Sequence, residues 1–286
     1  NSRNDLGLLT NYADRVEIIR GDITDPGLVR QAVQDVEIVI HLAALIAIPY
    51  SYVAPASYVQ TNVVGTQNLL QAALEQTVSK FIQVSTSEVY GSAQYLPMDE
   101  KHPLHPQSPY AASKVAADQL ALSYYRSFEL PVTVVRPFNT YGPGQSLRAV
   151  LPSICLQALR GDLVTLGNTT SSRDLTYVED TCAGFLHAAT IPESSGKELN
   201  LGYGESKSIE ELVALVGNAL NKELRIDLDE KRLRPVNSEV DHLLSDNGRA
   251  SQLISWQPTI TLDKGIDQVL SHLRKGDLGQ GGSYSL

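Results

Sequence analysis

Short runs of β-branched and aliphatic residues alternate along this chain with longer stretches whose apolar residues recur every three or four positions. The first pattern fits buried strands and the second fits helices, and their alternation points to βαβ units around a parallel sheet. Strands are expected near Val16 to Ile19, Ile38 to Leu42, Phe81 to Ser85 and Val132 to Arg136. Helices are expected near Pro26 to Val33, Pro55 to Glu75 and Ser108 to Ser127. The two long helices carry apolar residues on more than one face, which predicts contacts with a partner as well as with a core. After Pro143 the elements become shorter and more scattered, as in a smaller second lobe. Asp174 to Asp180 reads as a return to the first domain, followed by a helix through Ala189. The glycine-rich tail from Gly276 to Leu286 is expected to be mobile.

Composition narrows the class without deciding it. The chain has 286 residues, and 42% hydrophobic content is enough for a sizeable core in one large domain or two. A net charge of −9 excludes an ordinary nucleic-acid binder, so anionic ligands must be held by local groups. No run of about 18 apolar residues is present and Asn1 to Asp5 lacks the features of a signal peptide, so a cytoplasmic protein without a membrane partner is expected. Cys155 and Cys182 fall in apolar helical patterns and read as buried packing residues. His102 and His105 lie in a proline-rich loop with no evident further ligands, and no metal is expected.

The chemistry concentrates at Tyr110 and Lys114, four residues apart in a helical stretch and therefore on one face. At about 4 Å and an effective dielectric of about 20, an ammonium favours a neighbouring phenolate by about 4 kcal/mol. A phenol so tuned is a usable base near neutral pH. Upstream, an apolar strand ends in Ser85-Thr86-Ser87-Glu88; Asp22-Ile23 follows one apolar run, His41-Leu42-Ala43-Ala44 ends another, and Arg136-Pro137-Phe138-Asn139-Thr140-Tyr141-Gly142-Pro143 follows a third.

In these motifs and their order the chain, from about Val16 to about Trp256, resembles the extended short-chain dehydrogenase/reductases that act on nucleotide sugars. The resemblance implies an α/β fold: a Rossmann-like parallel sheet flanked by helices, with a smaller α/β substrate-binding lobe. Residues 1–145 and 174–200 would form the dinucleotide-binding domain, and 146–173 and 201–275 the substrate lobe. It implies NAD as cofactor, a nucleotide-sugar substrate and a homodimer built on the two long helices. It also implies a Gly-x-x-Gly-x-x-Gly turn after an N-terminal strand, which this sequence lacks. Val16 to Asp22 corresponds to the family's third strand, so about 35 to 50 residues carrying the first two strands and that turn are expected ahead of Asn1.

Residue by residue, the resemblance places Asp22 and Ile23 at the adenine, Ala43 and Ala44 at the phosphates and ribose, and Pro137 and Phe138 beside the nicotinamide. Tight helix–strand packing is the competing account of Ala43 and Ala44. Lys114 would also bond the nicotinamide ribose. Tyr110 would take the proton of the sugar 4-hydroxyl and Thr86 would hold that oxygen. Asn139, Arg173 and Arg234 would meet the nucleotide diphosphate, with Val150, Leu151 and Tyr177 shaping the base pocket. Glu88 separates the reactions: a carboxylate there suits removal of the C5 proton in a 4,6-dehydratase, whereas 4-epimerases carry a small or neutral residue. Thr-Ser-Glu, with Ser87 in the middle, is the version of GDP-mannose dehydratases and UDP-glucuronate decarboxylases, while dTDP-glucose dehydratases have Thr-Asp-Glu. The decarboxylases' basic motif after the tyrosine is absent. His41 to Tyr52, Ser85 to Gly91, and Arg136 to Gln145 with Arg148 to Val150 are most similar to the 4,6-dehydratases of nucleotide-activated N-acetylglucosamine in legionaminic acid-type surface-sugar pathways. A catalytically silent dinucleotide-binding or scaffolding relative is the alternative of another class, which the intact Thr86, Glu88, Tyr110 and Lys114 set argues against.

Overall fold

A computed structural model describes residues 7–229 and 240–275 of the chain. Its first half runs α1 (Pro26–Val33), β1 (Ile38–His41), α2 (Ile48–Val53), α3 (Pro55–Tyr58), a π-helical turn (Val59–Val64), α4 (Gly65–Glu75) and β2 (Lys80–Val84). A 3-10 turn (Ser87–Tyr90) leads by a long loop to α5 (Pro109–Phe128), β3 (Val132–Pro137) and β4 (Asn139–Tyr141). The second half comprises α6 (Val150–Arg160), β5 (Leu163–Leu166), β6 (Ser172–Tyr177), α7 (Val178–Thr190), β7 (Glu198–Leu201) and β8 (Ser206–Ser208). It ends with α8 (Ile209–Leu220), β9 (Arg225–Leu228), α9 (Gly248–Ile254) and α10 (Leu262–Lys275).

The central sheet has the order β1-β2-β3-β7, with every pair parallel. Alternation along β2 explains the layering. Phe81 packs with Val29, Leu70, Ala73, Leu122 and Val134 on the face covered by α1, α4 and α5. Ile82 and Val84 point the other way, to Phe185, Ala188, Leu199 and Trp256 under α7 and α9. Strands buried on both faces read as continuous apolar runs, which is why they are visible in the sequence. A separate cluster around Leu151, Ile154, Val164, Leu212, Val216 and Ile266 forms the core of a second lobe, built from α6, α8 and α10 beside two small sheets, β4-β6-β8 and β5-β9. Within the stretch that the sequence assigns to that lobe, Gly248–Ile254 and Trp256 pack on the central sheet.

The fold class is as expected, and three local features are not. Val16 to Ile19 forms no strand: it has no ladder partner among the described residues, and Val16, Ile18 and Ile19 stay about 40% exposed. The helix expected over 55–75 is divided, because Val59–Val64 winds as a π turn between α3 and α4, and α2 precedes it. Cys155 is buried, but Cys182 lies on the solvent face of α7 and is exposed. The tail from Gly276 lies outside the described residues.

Candidate active site

The site gathers at the carboxyl ends of β1, β2 and β3, the edge of a parallel α/β sheet at which ligands characteristically bind. Thr86 leaves β2 and caps the 3-10 turn: its Oγ1 accepts from Glu88 N at 3.2 Å, which sets the direction of the Glu88 backbone. The turn ends on Gly91, whose φ of +66° and whose missing Cβ, only 2.1 Å from His105 O if present, leave no room for another residue. Ser108 caps α5 by accepting from Ala111 N at 3.1 Å, and this cap sets Tyr110 and Lys114 one turn apart at the buried start of the helix.

Tyr110 is buried, its ring meets Tyr58 edge-on at 6.3 Å, and its phenol is hydrogen-bonded to the Thr86 hydroxyl. Burial pushes the phenol well above the usual tyrosine range, the Thr86 hydrogen bond opposes this, and the Glu88 carboxylate reinforces it. Lys114 is equally buried; its Nζ donates to Val84 O at 2.6 Å, and burial lowers its pKa while the nearby Asp118 carboxylate raises it. The sequence reading therefore needs a correction. The ammonium is drawn to the end of β2, and burial together with the Glu88 carboxylate sets the phenol above its ordinary range instead of below it. Thr86, Glu88, Tyr110 and Lys114 nonetheless converge on one place.

Around this centre the cofactor candidates separate by exposure. Ala43 is exposed and Ala44 half-buried in the loop after β1, so Ala43 is not tight helix–strand packing. Asp22 is exposed, and its Oδ1 accepts from Thr24 N at 2.9 Å, which lowers its pKa. Ile23 packs against the core on the α1 and α4 side. Pro137 is half-exposed, but the Phe138 ring is buried among Val89, Tyr90, Met98 and Leu243, so only its backbone is placed to line a ligand. The small, accessible residues after β1 and the donors on α5 fit a dinucleotide laid across the strand ends.

Toward the second lobe, Thr140, Tyr141, Gly142, Pro143, Gln145 and Val178 line a cleft of about 270 Å³. Asn139 Oδ1 is buried with no hydrogen-bond partner among the described residues, an acceptor suited to a ligand donor. Ser87 is buried. Arg173 is buried on β6 and donates to Ser172 O at 3.0 Å. Leu151 and Tyr177 are almost wholly buried in the second-lobe core, and Val150 packs against it. Arg234 lies outside the described residues.

Sequence reasoning missed Asn62. Its side chain both accepts from Leu45 N at 2.8 Å and donates to Leu45 O at 3.0 Å, and it donates to Ser113 Oγ at 2.9 Å. It thus ties the loop carrying Ala43 and Ala44 to the helix of Tyr110. The available signal was a polar residue of low helix propensity inside an apolar helical run, just before Gly65-Thr66. Thr66 adds a second tie: it donates to Asn62 O at 2.6 Å and its Oγ1 meets His41 Nε2 at 2.9 Å. Burial and the Lys114 charge hold His41 neutral, with a pKa of about 3.

Residues 4–269 match the family described as GDP-mannose 4,6 dehydratase. The chain is 38% identical over 216 residues to a dTDP-glucose 4,6-dehydratase of Streptomyces antibioticus, an alignment covering 74% of this chain and 64% of that protein. The chain therefore spans somewhat less than two thirds of that relative's length. Among solved structures, DesIV, the dTDP-glucose 4,6-dehydratase of Streptomyces venezuelae determined with NAD bound, superposes with a TM-score of 0.86 at 28% identity, covering 95% of this chain and 84% of that one. TunA, described as an NAD-dependent NDP-hexosamine 5,6-dehydratase of tunicamycin biosynthesis, does so at 0.81 and 30% identity, with 90% and 83% covered. The chain belongs to the GDP-mannose 4,6-dehydratase family of nucleotide-sugar dehydratases and epimerases.

Proposed function

We propose that this member of the family removes water across C5 and C6 of a nucleotide-linked hexose after oxidation at C4, giving a 4-keto-6-deoxy sugar, with NAD as its redox cofactor. The observation that carries the proposal is the convergence of Thr86 and Glu88 on the Tyr110 phenol at the strand ends, with the Lys114 ammonium beside them.

Asp22, Ile23, Ala43, Ala44 and Pro137, with the Lys114 ammonium, would hold the cofactor. NAD supplies an acceptor for the C4 hydrogen and a ring charge that opposes the burial of Tyr110. Tyr110 takes the proton of the 4-hydroxyl, and Thr86 keeps that oxygen in line by its hydroxyl. Once C4 is a ketone, the C5 proton is acidic, and Glu88 removes it. The C6 hydroxyl departs as water after taking a proton, and the hydride taken from C4 would return to C6, with a solvent proton added at C5, to complete the 4-keto-6-deoxy sugar. Ser87 is buried and has no acidic proton to give, so Glu88 returns the one it has removed. A carboxylate in that place has no use in a simple C4 epimerisation, and the neutral Tyr110-Ala111-Ala112-Ser113-Lys114-Val115 stretch offers nothing but Lys114 to hold the carboxylate that a decarboxylase substrate carries.

The proposed substrate is a nucleotide-activated N-acetylglucosamine. Its support is the likeness of residues 41–52, 85–91, 136–145 and 148–150 to such enzymes, together with similarity to a protein described as a hexosamine dehydratase. Asn139 and Arg173 would meet the diphosphate. The proposed setting is the cytoplasm, and the proposed assembly is a homodimer through α4 and α5, where Tyr125 and Phe128 are exposed; light scattering that gives a monomer mass at micromolar concentration would contradict the dimer. A substrate panel followed by product mass tests the reaction: loss of water is expected with UDP-N-acetylglucosamine. Loss of carbon dioxide from a glucuronate, an unchanged mass with inverted C4, or no turnover of any nucleotide sugar would each point to another reading.

A further inference from the structure

Lys114 and Asp118 lie one turn apart on α5 and grip consecutive residues of one strand end. Lys114 Nζ donates to Val84 O at 2.6 Å, and Ser85 Oγ donates to Asp118 Oδ2 at 2.6 Å. Together they fix residues 84 and 85, and so the start of Thr86, against the helix that carries Tyr110. Asp118 is completely buried. Its Oδ2 also accepts from Arg136 Nε at 3.4 Å, and its Oδ1 has no hydrogen-bond partner among the described residues. Arg136, itself fully buried, spends its other nitrogens on Tyr90 OH at 3.0 Å and Glu198 Oε1 at 2.5 Å. A carboxylate stripped of water keeps its charge only near cations, and a buried ammonium only near anions. The cluster holds two cations, Lys114 and Arg136, against Asp118 and the partly exposed Glu198. The Glu198 side chain engages Arg136, and the Asp118 carboxylate is shared between the Arg136 guanidinium, which it bonds, and the Lys114 ammonium one turn away.

We infer that Asp118 is a positioning residue, which keeps Lys114 an ammonium inside the fold and locks the Ser85 end of β2 so that Thr86 faces Tyr110. The inference rests on the role proposed for Lys114. Around that amine, β1 presents His41, held neutral; β2 presents Gln83 on the same sheet face; the 3-10 turn and α3 present Glu88 and Tyr58 toward Tyr110; β3 presents Arg136. Of these groups, Asp118 is the carboxylate whose charge acts on Lys114 itself.

The decisive experiment is an NMR titration of the side-chain amine of Lys114 in isotope-labelled protein, assigned with a Lys114→Arg variant, in wild type, Asp118→Asn and Glu198→Gln. Asp118→Asn should lower the Lys114 midpoint by about one pH unit or more, and Glu198→Gln should lower it by less. In turnover assays, Asp118→Asn should bring the alkaline fall of kcat to lower pH with KM little changed. An unchanged Lys114 midpoint in folded Asp118→Asn overturns the inference, whatever the activity. If that variant does not fold, the wild-type Asp118 carboxyl carbon decides: an ionised carboxylate at neutral pH supports the inference, and a protonated one overturns it. A normal coupling in a protein that turns over no nucleotide sugar would instead sink the proposed reaction alone.

Discussion

Lys80 and Lys114 are both buried side chains, at opposite ends of the sheet, and they do different things. Lys80, at the amino end of β2, donates to Ser194 Oγ at 2.7 Å, to Ser195 Oγ at 2.8 Å and to Ile191 O at 3.4 Å, which accounts for all three of its protons. Lys114, at the carboxyl end, makes one such bond among the described residues, to Val84 O. Burial lowers the pKa of both, to about 8 for Lys80, and a nearby carboxylate opposes the shift in each case, Glu193 for Lys80 and Asp118 for Lys114. The saturated lysine closes the bottom of the sheet onto the α7–β7 connection. The unsaturated one keeps donors for a ligand. Burial alone does not distinguish a structural cation from a working one; the count of its satisfied donors does.

Replacing each lysine should separate the roles. Lys114→Met should cut turnover by roughly 10²- to 10⁴-fold while leaving the melting temperature within a few degrees of wild type, read by product formation and thermal unfolding. Lys80→Met should do the reverse, costing about 1–3 kcal/mol of stability in a denaturant titration by removing the buried donor to Ser194 Oγ, Ser195 Oγ and Ile191 O, with turnover per folded molecule unchanged. If Lys80→Met abolished turnover in folded protein, the contrast would fail.

The pH dependence sharpens the same point. The Lys80 pKa is about 8 in the folded protein against 10.5 ordinarily. A depressed folded pKa means that its stabilising contribution is present above the unfolded value and is lost as pH falls through the folded one. The stability of wild type relative to Lys80→Met should therefore rise between pH 8 and 10.5. A flat difference across that range would show that Lys80 is not desolvated. A further effect concerns the turn that aims Glu88. Gly91→Ala should cost about 1–3 kcal/mol by forcing a side chain into a left-handed backbone position, with a lower kcat from the displaced carboxylate. Wild-type stability and kcat would mean that the turn has a wide latitude.

What was legible in the sequence follows the range of the interactions. Strands β1, β2 and β3 and the ends of α1 and α5 were readable, unlike β7, because caps, prolines and apolar periodicity act within a few residues: Asp25 accepts from Gly27 N and Leu28 N at the start of α1, as Ser108 accepts from Ala111 N for α5. The pairing of Tyr110 with Lys114 needed only helical spacing, and Thr86 only the end of an apolar run. The direction of the Tyr110 pKa was not readable, because it depends on Val84 O drawing the ammonium away across 30 residues of sequence. Asn62 and Arg136 act through contacts 17 to 62 residues distant, and no local pattern reports those. Asp118 did leave a trace: a carboxylate four residues beyond Lys114, on the buried face that also carries Tyr110, Ala117, Ala121 and Leu122. Val16 to Ile19 shows the opposite failure. Its composition is that of a strand, but a strand exists only where a neighbour completes its ladder.

The central claim is that Glu88 acts after the sugar has been oxidised by the Tyr110 centre. Its most direct test is Glu88→Gln incubated with NAD and the nucleotide sugar that wild type consumes, following reduced nicotinamide and product mass in the same reaction. The account predicts that nicotinamide is reduced and no water is lost, since oxidation at C4 survives and removal of the C5 proton does not. Full dehydratase turnover by Glu88→Gln, or the loss of nicotinamide reduction along with dehydration, would contradict it.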